Sequence, residues 1–296
     1  MADQLSIRDY KAEVTAKILA ALEGGKIPWN KPWVSRLHDG AAFNGLTNKP
    51  YNGGVNTILL WLSAAANGWN DPRWAGRGQL RDNHVKIVGL KDGVATTIYA
   101  PIFKKAKDEE TGTLKSILVG FRPVQVFNFA QVDDPDLATL DSLRSPEVDP
   151  AENHKAAAAL VASTGAHIKH GGNRAAYSPM SDQIMMPNPG DFNSTENYWS
   201  TLLHEVIHWT GHESRLNRPF SRSPEAYAFE ELVAEMGSAF SCARVGIERE
   251  EITLGHAGYI QHWIQILKGD SDAFTRAAGQ AWKAHQFIVG ESKDSE

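Results

Sequence analysis

The sequence has 296 residues, 42% of them hydrophobic and 22% charged, which is typical of globular proteins and long enough for two domains. A single cysteine excludes an internal disulfide and fits a reducing compartment. No apolar stretch approaches the ~20 residues of a membrane span, and no signal peptide precedes the first helix. We therefore expect a cytoplasmic protein with no membrane partner.

The formal charge of −5 is unevenly distributed. Residues 1–126 carry 17 Lys and Arg against 11 Asp and Glu, a balance of +6, whereas residues 127–296 carry 13 against 24, a balance of −11. A basic part joined to an acidic part suggests different partners, with a polyanion as the candidate for the first. Ordinary scatter of charge over 126 residues remains the alternative.

Taken in chain order, the hydrophobic pattern predicts an α+β N-terminal part. Apolar residues at helical spacing predict a helix over 6–22, which Gly24 and Gly25 end. Loops rich in Pro, Gly and Asn then surround a short apolar helix. The short helix is predicted over 56–66. Three strands are predicted to follow over 85–88, 95–103 and 117–126, with a charged connection over 104–115 between the last two.

A second, mainly helical part follows a linker. Acidic residues and prolines with little periodicity indicate an inter-domain linker within 127–150. A hairpin or edge strand is predicted over 174–187, among helices at 151–163, 196–210, 224–244, 254–267 and 270–288. We therefore predict two domains, 1–126 and 151–296.

The strongest motif is His-Glu-x-x-His at His204, Glu205 and His208. Positions i and i+4 share one face of a helix, so both imidazoles can reach one metal ion. The adjacent glutamate is placed to act as general acid and base toward water. Because five residues can match by chance, two unrelated helical histidines remain the alternative for the motif taken alone.

A second predicted helix offers the third ligand that such a zinc site needs. Glu231 and Glu235 share one face among apolar residues, and buried carboxylates need a partner. Their spacing resembles the Glu-x-x-x-Asp helix of gluzincins, in which the first acid binds zinc and the second supports a ligand histidine. We assign Glu231 to the metal and Glu235 to the support, with exchanged roles as the alternative.

Other residues near the motif have weaker assignments. The metzincin pattern is not matched, because its third histidine would fall at Ser214. On a continuous helix His212 would lie ~12 Å along the axis from His204, too far for both to bind one metal ion, so we do not expect His212 to be a ligand. Tyr177 and Tyr259 are candidates for stabilising a tetrahedral intermediate, although packing is the commoner role of tyrosine.

Five of the nine tryptophans fall between residues 29 and 74, interleaved with basic residues in Gly- and Asn-rich loops. Single-stranded nucleic acid is bound by such a combination, since bases stack on rings while Lys and Arg follow the phosphates. Simple packing of the aromatic loops is the alternative. The candidate DNA-binding residues are Lys26, Trp29, Lys31, Trp33, Lys49, Tyr51, Arg73, Trp74 and Arg77.

Several long blocks carry a resemblance to a known family. They are Ile-Pro-Trp-Asn-Lys-Pro-Trp at 27–33, Asn-Lys-Pro-Tyr-Asn-Gly at 48–53, Asp-Pro-Arg-Trp at 71–74, TLLHEVIHWTGHESRLNR at 201–218 and YAFEELVAEMG at 227–237. Over nearly its whole length the sequence resembles the ArdC antirestriction proteins of conjugative plasmids. The segment Ala75-Gly76-Arg77 departs from the bulkier residues expected after Trp74.

The resemblance implies an N-terminal single-stranded-DNA-binding domain and a C-terminal zincin-like metallopeptidase domain with Zn²⁺ or another divalent metal such as Mn²⁺. It also implies protection of incoming plasmid DNA from host restriction during conjugation, with restriction-modification proteins as candidate partners. Two alternatives remain open. One is a non-proteolytic protein that coats single-stranded DNA and keeps a structural metal, and the other is a DNA–protein-crosslink protease.

Overall fold

A computed structural model describes residues 6–33, 37–88, 94–107, 113–133, 149–219, 223–249 and 257–291. It mixes helices and sheets, which confirms the α+β class. The helices are α1 Ile7–Glu23, α2 Gly54–Asn67, α3 Arg77–Asp82, α4 Pro150–Thr164, α5 Thr195–Thr210, α6 Pro224–Val245, α7 Ala257–Gly269 and α8 Ala273–Val289. None of the helices in this part of the chain has the length and apolarity needed to span a lipid bilayer.

The N-terminal part is built on a five-stranded sheet. Its strand order is β2-β1-β3-β6-β5, from β1 Phe43–Asn44, β2 Lys49–Pro50, β3 Arg73–Gly76, β5 Thr96–Lys107 and β6 Leu114–Asn128. The segments β4 Lys86–Ile87 and β7 Val132–Asp133 form a separate antiparallel pair. Strand β6 ends at Asn128, Phe129–Gln131 form one 3-10 turn, and β7 follows, so residues 127–133 continue the N-terminal fold instead of the predicted linker.

A smaller sheet precedes the long helices of the second part. Its order is β8-β10-β9, from β8 His167–His170, β9 Ala176–Ser178 and β10 Gln183–Met186, so β9 lies at an edge. The antiparallel pairing of β9 with β10 confirms the hairpin predicted over 174–187.

The two parts share one hydrophobic core. In α1, Tyr10 stacks on Phe121 of β6 with ring centroids 3.8 Å apart, while the same helix contacts α7 and α8. Trp29 packs edge-on against Trp263 of α7 at 5.4 Å. One continuous cluster of buried residues contains side chains from α1, α2, α6 and α8. The packing thus joins the N-terminal part to the C-terminal helices.

Candidate metal centre and nucleic-acid surface

The helices α5 and α6 bring the His-Glu-x-x-His residues and the downstream glutamates together. Ser194 caps α5 by accepting a hydrogen bond from the Asn197 backbone, and Ser223 caps α6 in the same way, with Pro224 in its first turn. A Cβ at Gly237 in α6 would lie within 2.9 Å of the Ile207 side chain in α5, so the glycine permits this close approach.

Three side chains on these helices form a group that we call the ligand cluster: His204, His208 and Glu231. Their donor atoms lie within 4.8 Å of one another. The two Nε2 atoms are 3.2 Å apart, and the Glu231 carboxylate oxygens lie 3.4 Å from His204 Nε2 and 3.6 Å from His208 Nε2. Metal bonds of about 2.0–2.1 Å in tetrahedral geometry set donors about 3.3–3.4 Å apart. The cluster therefore fits a divalent ion.

Each histidine of the ligand cluster is backed by a carboxylate and an arginine. Glu230 lies 3.2 Å from His208 Nδ1 and pairs with the buried Arg218 at 2.7 Å. Glu235 lies 3.7 Å from His204 Nδ1 and pairs with Arg249. Such outer partners fix the orientation of ligand histidines.

The electrostatics of the cluster favour positive charge at its centre. Burial opposes charge on His208, but the Glu230 and Glu231 carboxylates raise its pKa to about 10. Burial raises the pKa of Glu231, but His204 and His208 hold it well below the usual range for a carboxyl group. A cation, whether proton or metal, is thus stabilised between these groups.

Glu205, the proposed acid and base, is buried beside the ligand cluster on the same helix. Its Oε2 accepts a hydrogen bond from the backbone N–H of Tyr177 in β9 at 2.8 Å. This bond fixes the carboxylate against the edge strand of the small sheet.

The structure tests one of the two candidate tyrosines, Tyr177, and does not support its predicted role. The Tyr177 hydroxyl donates to Asp182 Oδ1 at 2.9 Å and accepts from Arg215. Its phenol proton is therefore engaged, which corrects its predicted role as a donor to an intermediate; its backbone N–H contacts Glu205 instead. The side chain of Tyr259 lies outside the described residues. His212 contacts Ser214 and does not join the ligand cluster.

Sequence reasoning missed Glu230, Arg218 and Arg249. Glu230 directly precedes the predicted ligand and lies at Nδ1 of His208, whereas Glu231 faces the Nε2 atoms of both histidines. The face that Glu230 occupies depends on how α6 packs against α5. The arginines lie outside both helices and become identifiable only when the chain folds back on the carboxylates.

Four of the nine candidate DNA-binding residues are buried. The rings of Trp29, Trp33 and Trp74 are at most 3% exposed, so none presents a face on which a base can stack. Arg73 is enclosed and pairs with Asp71 at 2.7 Å, so it is not at the surface to meet a phosphate. For these residues the expectation is corrected, because the aromatic loops pack into the shared core.

The other five candidates reach the surface wholly or partly. Lys26, Lys49 and Arg77 are exposed, while Lys31 and Tyr51 are half-buried. The prediction of a nucleic-acid contact therefore rests on these five.

Comparison with known proteins agrees with this architecture. Residues 8–127 match the N-terminal domain of anti-restriction factor ArdC, and residues 155–280 match a zincin-like metallopeptidase family. The uncharacterized protein y4eC of Sinorhizobium fredii (strain NBRC 101917 / NGR234) is 31% identical, with 97% of this chain and 94% of that protein covered. A DNA primase TraC of Escherichia coli is 33% identical over 95% of this chain, which spans only 27% of the primase.

Solved structures of the antirestriction protein ArdC from plasmid R388 are also similar. The metal-free form gives a TM-score of 0.76 at 32% identity, with 96% of this chain and 97% of that chain covered. The Mn(II)-bound form gives 0.74 at 31% identity, with 97% and 100% covered.

Fold and site together define a zincin-like, metallopeptidase-type domain attached to an N-terminal domain of the anti-restriction type. The chain belongs to the ArdC antirestriction family. The zincin-like fold, the ligand cluster and the Mn(II)-bound relative support a divalent metal in this protein.

Proposed function

We propose that this protein is an antirestriction factor that binds single-stranded DNA and carries a metal-dependent peptidase site. In this role it protects incoming plasmid DNA from host restriction during conjugation, acting in the cytoplasm on restriction-modification proteins. The observation that carries the peptidase proposal is the ligand cluster beside Glu205, which has the spacing of a tetrahedral site with one position left open.

In this proposal His204, His208 and Glu231 hold the ion, with Zn²⁺ or Mn²⁺ as the physiological metal. Glu230 and Glu235 orient the two histidines through their Nδ1 atoms. When bound, a divalent ion supplies Lewis-acid polarisation of water and of a peptide carbonyl.

Glu205 carries the proton transfer. Its carboxylate takes a proton from water and delivers it to the departing amine, which is general acid–base catalysis. The backbone N–H of Tyr177 holds one carboxylate oxygen and leaves the other for this task. The edge strand β9 adjoins Glu205, so an extended peptide that pairs with β9 would pass the reacting groups.

Binding of single-stranded DNA is assigned to the N-terminal part, where the net charge is positive. Lys26, Lys31, Lys49, Tyr51 and Arg77 lie wholly or partly at the surface and are the remaining candidates for contact. We expect the affinity to fall as salt rises, because phosphate neutralisation releases counterions.

The substitution Glu205→Gln tests the peptidase proposal. It keeps the shape of the side chain and removes the base, so peptidase activity should fall by ~10²–10⁴-fold. Metal content and affinity for single-stranded DNA should stay near those of the wild type. Plasmid transfer into restricting and non-restricting recipients is the deciding measurement, and protection should be lost in the restricting host alone.

Other results would select an alternative function. Full protection by a folded, metal-loaded Glu205→Gln protein would favour a DNA-coating protein with a structural metal. Cleavage of many unrelated proteins crosslinked to DNA, with no preference for restriction subunits, would favour a crosslink protease.

A further inference from the structure

An aromatic pocket lies apart from the ligand cluster, where the two parts of the chain meet. It has a volume of about 160 Å³ and opens to solvent. Tyr51 and Trp61 line it from the N-terminal part, and Phe240, Trp282 and His285 line it from α6 and α8. No residue of the ligand cluster lines this pocket.

The lining suits a flat aromatic ligand of one ring. Phe240 contacts Trp282 edge-on at 5.2 Å and Trp61 at 5.7 Å. Trp61 and Phe240 are themselves buried, so the half-buried rings of Trp282 and Tyr51 are the ones that offer a face to a ligand. A cavity of about 150 Å³ accepts one benzene-sized ring, and the pocket is of this size. Bases of single-stranded nucleic acid are held by stacking on such side chains.

The lining also contains a polar group, the imidazole of His285. His285 places its Nδ1 3.1 Å from the hydroxyl of Ser241, which itself donates to the Gly237 carbonyl. His285 therefore donates from Nδ1, and its Nε2 is an acceptor.

Charged side chains of both signs lie at the rim. Arg244 and Glu291 both line the pocket and pair with each other at 3.0 Å. The Lys31 ammonium lies 3.1 Å from the position that a Cβ of Gly40 would take, beside the lining residue Ala41. The phosphates of a DNA strand that enters the pocket would therefore pass near Arg244 and Lys31.

We propose that this pocket binds one pyrimidine base of a single-stranded DNA, with Trp282 as its stacking surface. The inference rests on the proposed DNA-binding function and moves the base contact from the buried tryptophans to the junction of the two parts. Phe240 lies nine positions after Glu231 on α6, about 13 Å along the helix. A bound base would thus contact the helix that carries the metal ligand.

The substitution Trp282→Leu in the full-length protein tests the pocket, with a labelled thymidine oligonucleotide as the probe. Loss of a stacking surface should lower the affinity by about 5- to 150-fold. The loss should be larger for a thymidine oligonucleotide than for an adenosine one, since the pocket admits one ring. Trp199→Leu, at another half-buried tryptophan, is the matched control and should bind like the wild type.

Two further measurements keep the test independent of folding. Ala41→Leu fills the rim without removing a ring and should also weaken binding. Light-induced crosslinking of an oligonucleotide that contains iodouracil should attach to a peptide with Tyr51 or Trp282. Three results would overturn the pocket and leave the DNA-binding function standing. They are wild-type affinity in both folded variants, equal losses of affinity for the two oligonucleotides, and crosslinks confined to other peptides. Absence of any binding by the wild type would overturn both.

Discussion

Each histidine of the ligand cluster depends on a chain of charged side chains. A carboxylate contacts its Nδ1 atom, and an arginine neutralises that carboxylate. Glu231, by contrast, is itself a member of the ligand cluster and supplies carboxylate oxygens as donor atoms. The roles of Glu230, Glu231 and Glu235 therefore differ, although all three lie on α6 within six residues of one another.

Substitution of Glu231 and Glu235 should separate a direct ligand from its support. Glu235→Ala should weaken metal affinity by about 10–100-fold, as loss of an outer partner does. Glu231→Ala should weaken it further, because a donor atom is removed. Competition with a chelator, followed by elemental analysis, measures both. Glu225→Ala, exposed in the first turn of the same helix, is the control. The opposite ranking would mean that the two roles are exchanged.

Removal of Arg218 should destabilise the protein, because it leaves the charged Glu230 carboxylate without its partner. It is buried and donates to Glu230, to Thr210 and to the Ile207 carbonyl. Arg218→Met leaves the Glu230 carboxylate buried without its arginine, which should cost about 3–5 kcal/mol of unfolding free energy. Urea denaturation measures this loss. The double variant Arg218→Met/Glu230→Gln should recover part of it; equal stability of single and double variants would contradict the charge explanation.

At the scale of elements, the contact between α5 and α6 sets the geometry of the ligand cluster. Alanine is normally a better helix former than glycine by about 1 kcal/mol. In Gly237→Ala, however, the new methyl group would meet three atoms of Ile207 at 2.9–3.0 Å. Overpacking of this kind costs about 1–3 kcal/mol. We expect a lower urea midpoint and weaker metal binding, because the helices must move apart.

A matched glycine lies in the middle of α8. Gly279 is exposed, and a Cβ there would meet nothing within 4 Å. Gly279→Ala should therefore raise stability by about 0.5–1 kcal/mol. If Gly237→Ala were equally stabilising, the close approach of α5 and α6 would not be a constraint.

His285 gives α8 a dependence on pH. Burial, aided by Arg244, lowers its pKa to about 3, against 6.5 in the unfolded chain. Between these values the unfolded state binds the extra proton, so stability is lost as the pH falls below 6.5. The loss is about 1.4 kcal/mol per pH unit, or about 2 kcal/mol at pH 5. Between pH 7 and pH 5 the free energy of unfolding should therefore fall less in His285→Gln than in the wild type. An equal fall in the two proteins would contradict the assignment.

At the scale of the whole molecule, the shared core predicts one cooperative unit. Lys11 and Thr15 of α1 contact Asp272 and Ser271, before α8, and Trp29 packs on Trp263. A fragment of residues 1–133 would expose these surfaces to water. We expect the fragment to be unfolded or much less stable than the intact chain, whose calorimetric trace should show a single transition. Dispersed amide resonances from the isolated fragment would contradict this prediction.

The sequence predicts best what depends on local spacing. His204, Glu205 and His208 follow from one helical repeat, and Glu231 follows from the acidic face of the next helix. The strands β1, β2 and β3 were missed because segments of two to four residues contain too little alternation to be recognised. Trp29, Trp33 and Trp74 were misplaced because a loop composition does not say which helices cover the loop. Contacts between distant segments decide burial, and one sequence does not contain them.

The continuous core also bears on how this unit is inherited. Genes that exchange segments by recombination keep a working product only where the cut leaves buried surfaces together. A cut between the two family regions, near residues 134–148, would part α1 from the helices that cover it. The TraC primase is consistent with this constraint, because 95% of this chain aligns, at 33% identity, with a part of that much longer protein. The piece that moves between genomes is thus expected to be the whole two-part unit, with its N-terminal sheet and its C-terminal helices transferred in one event.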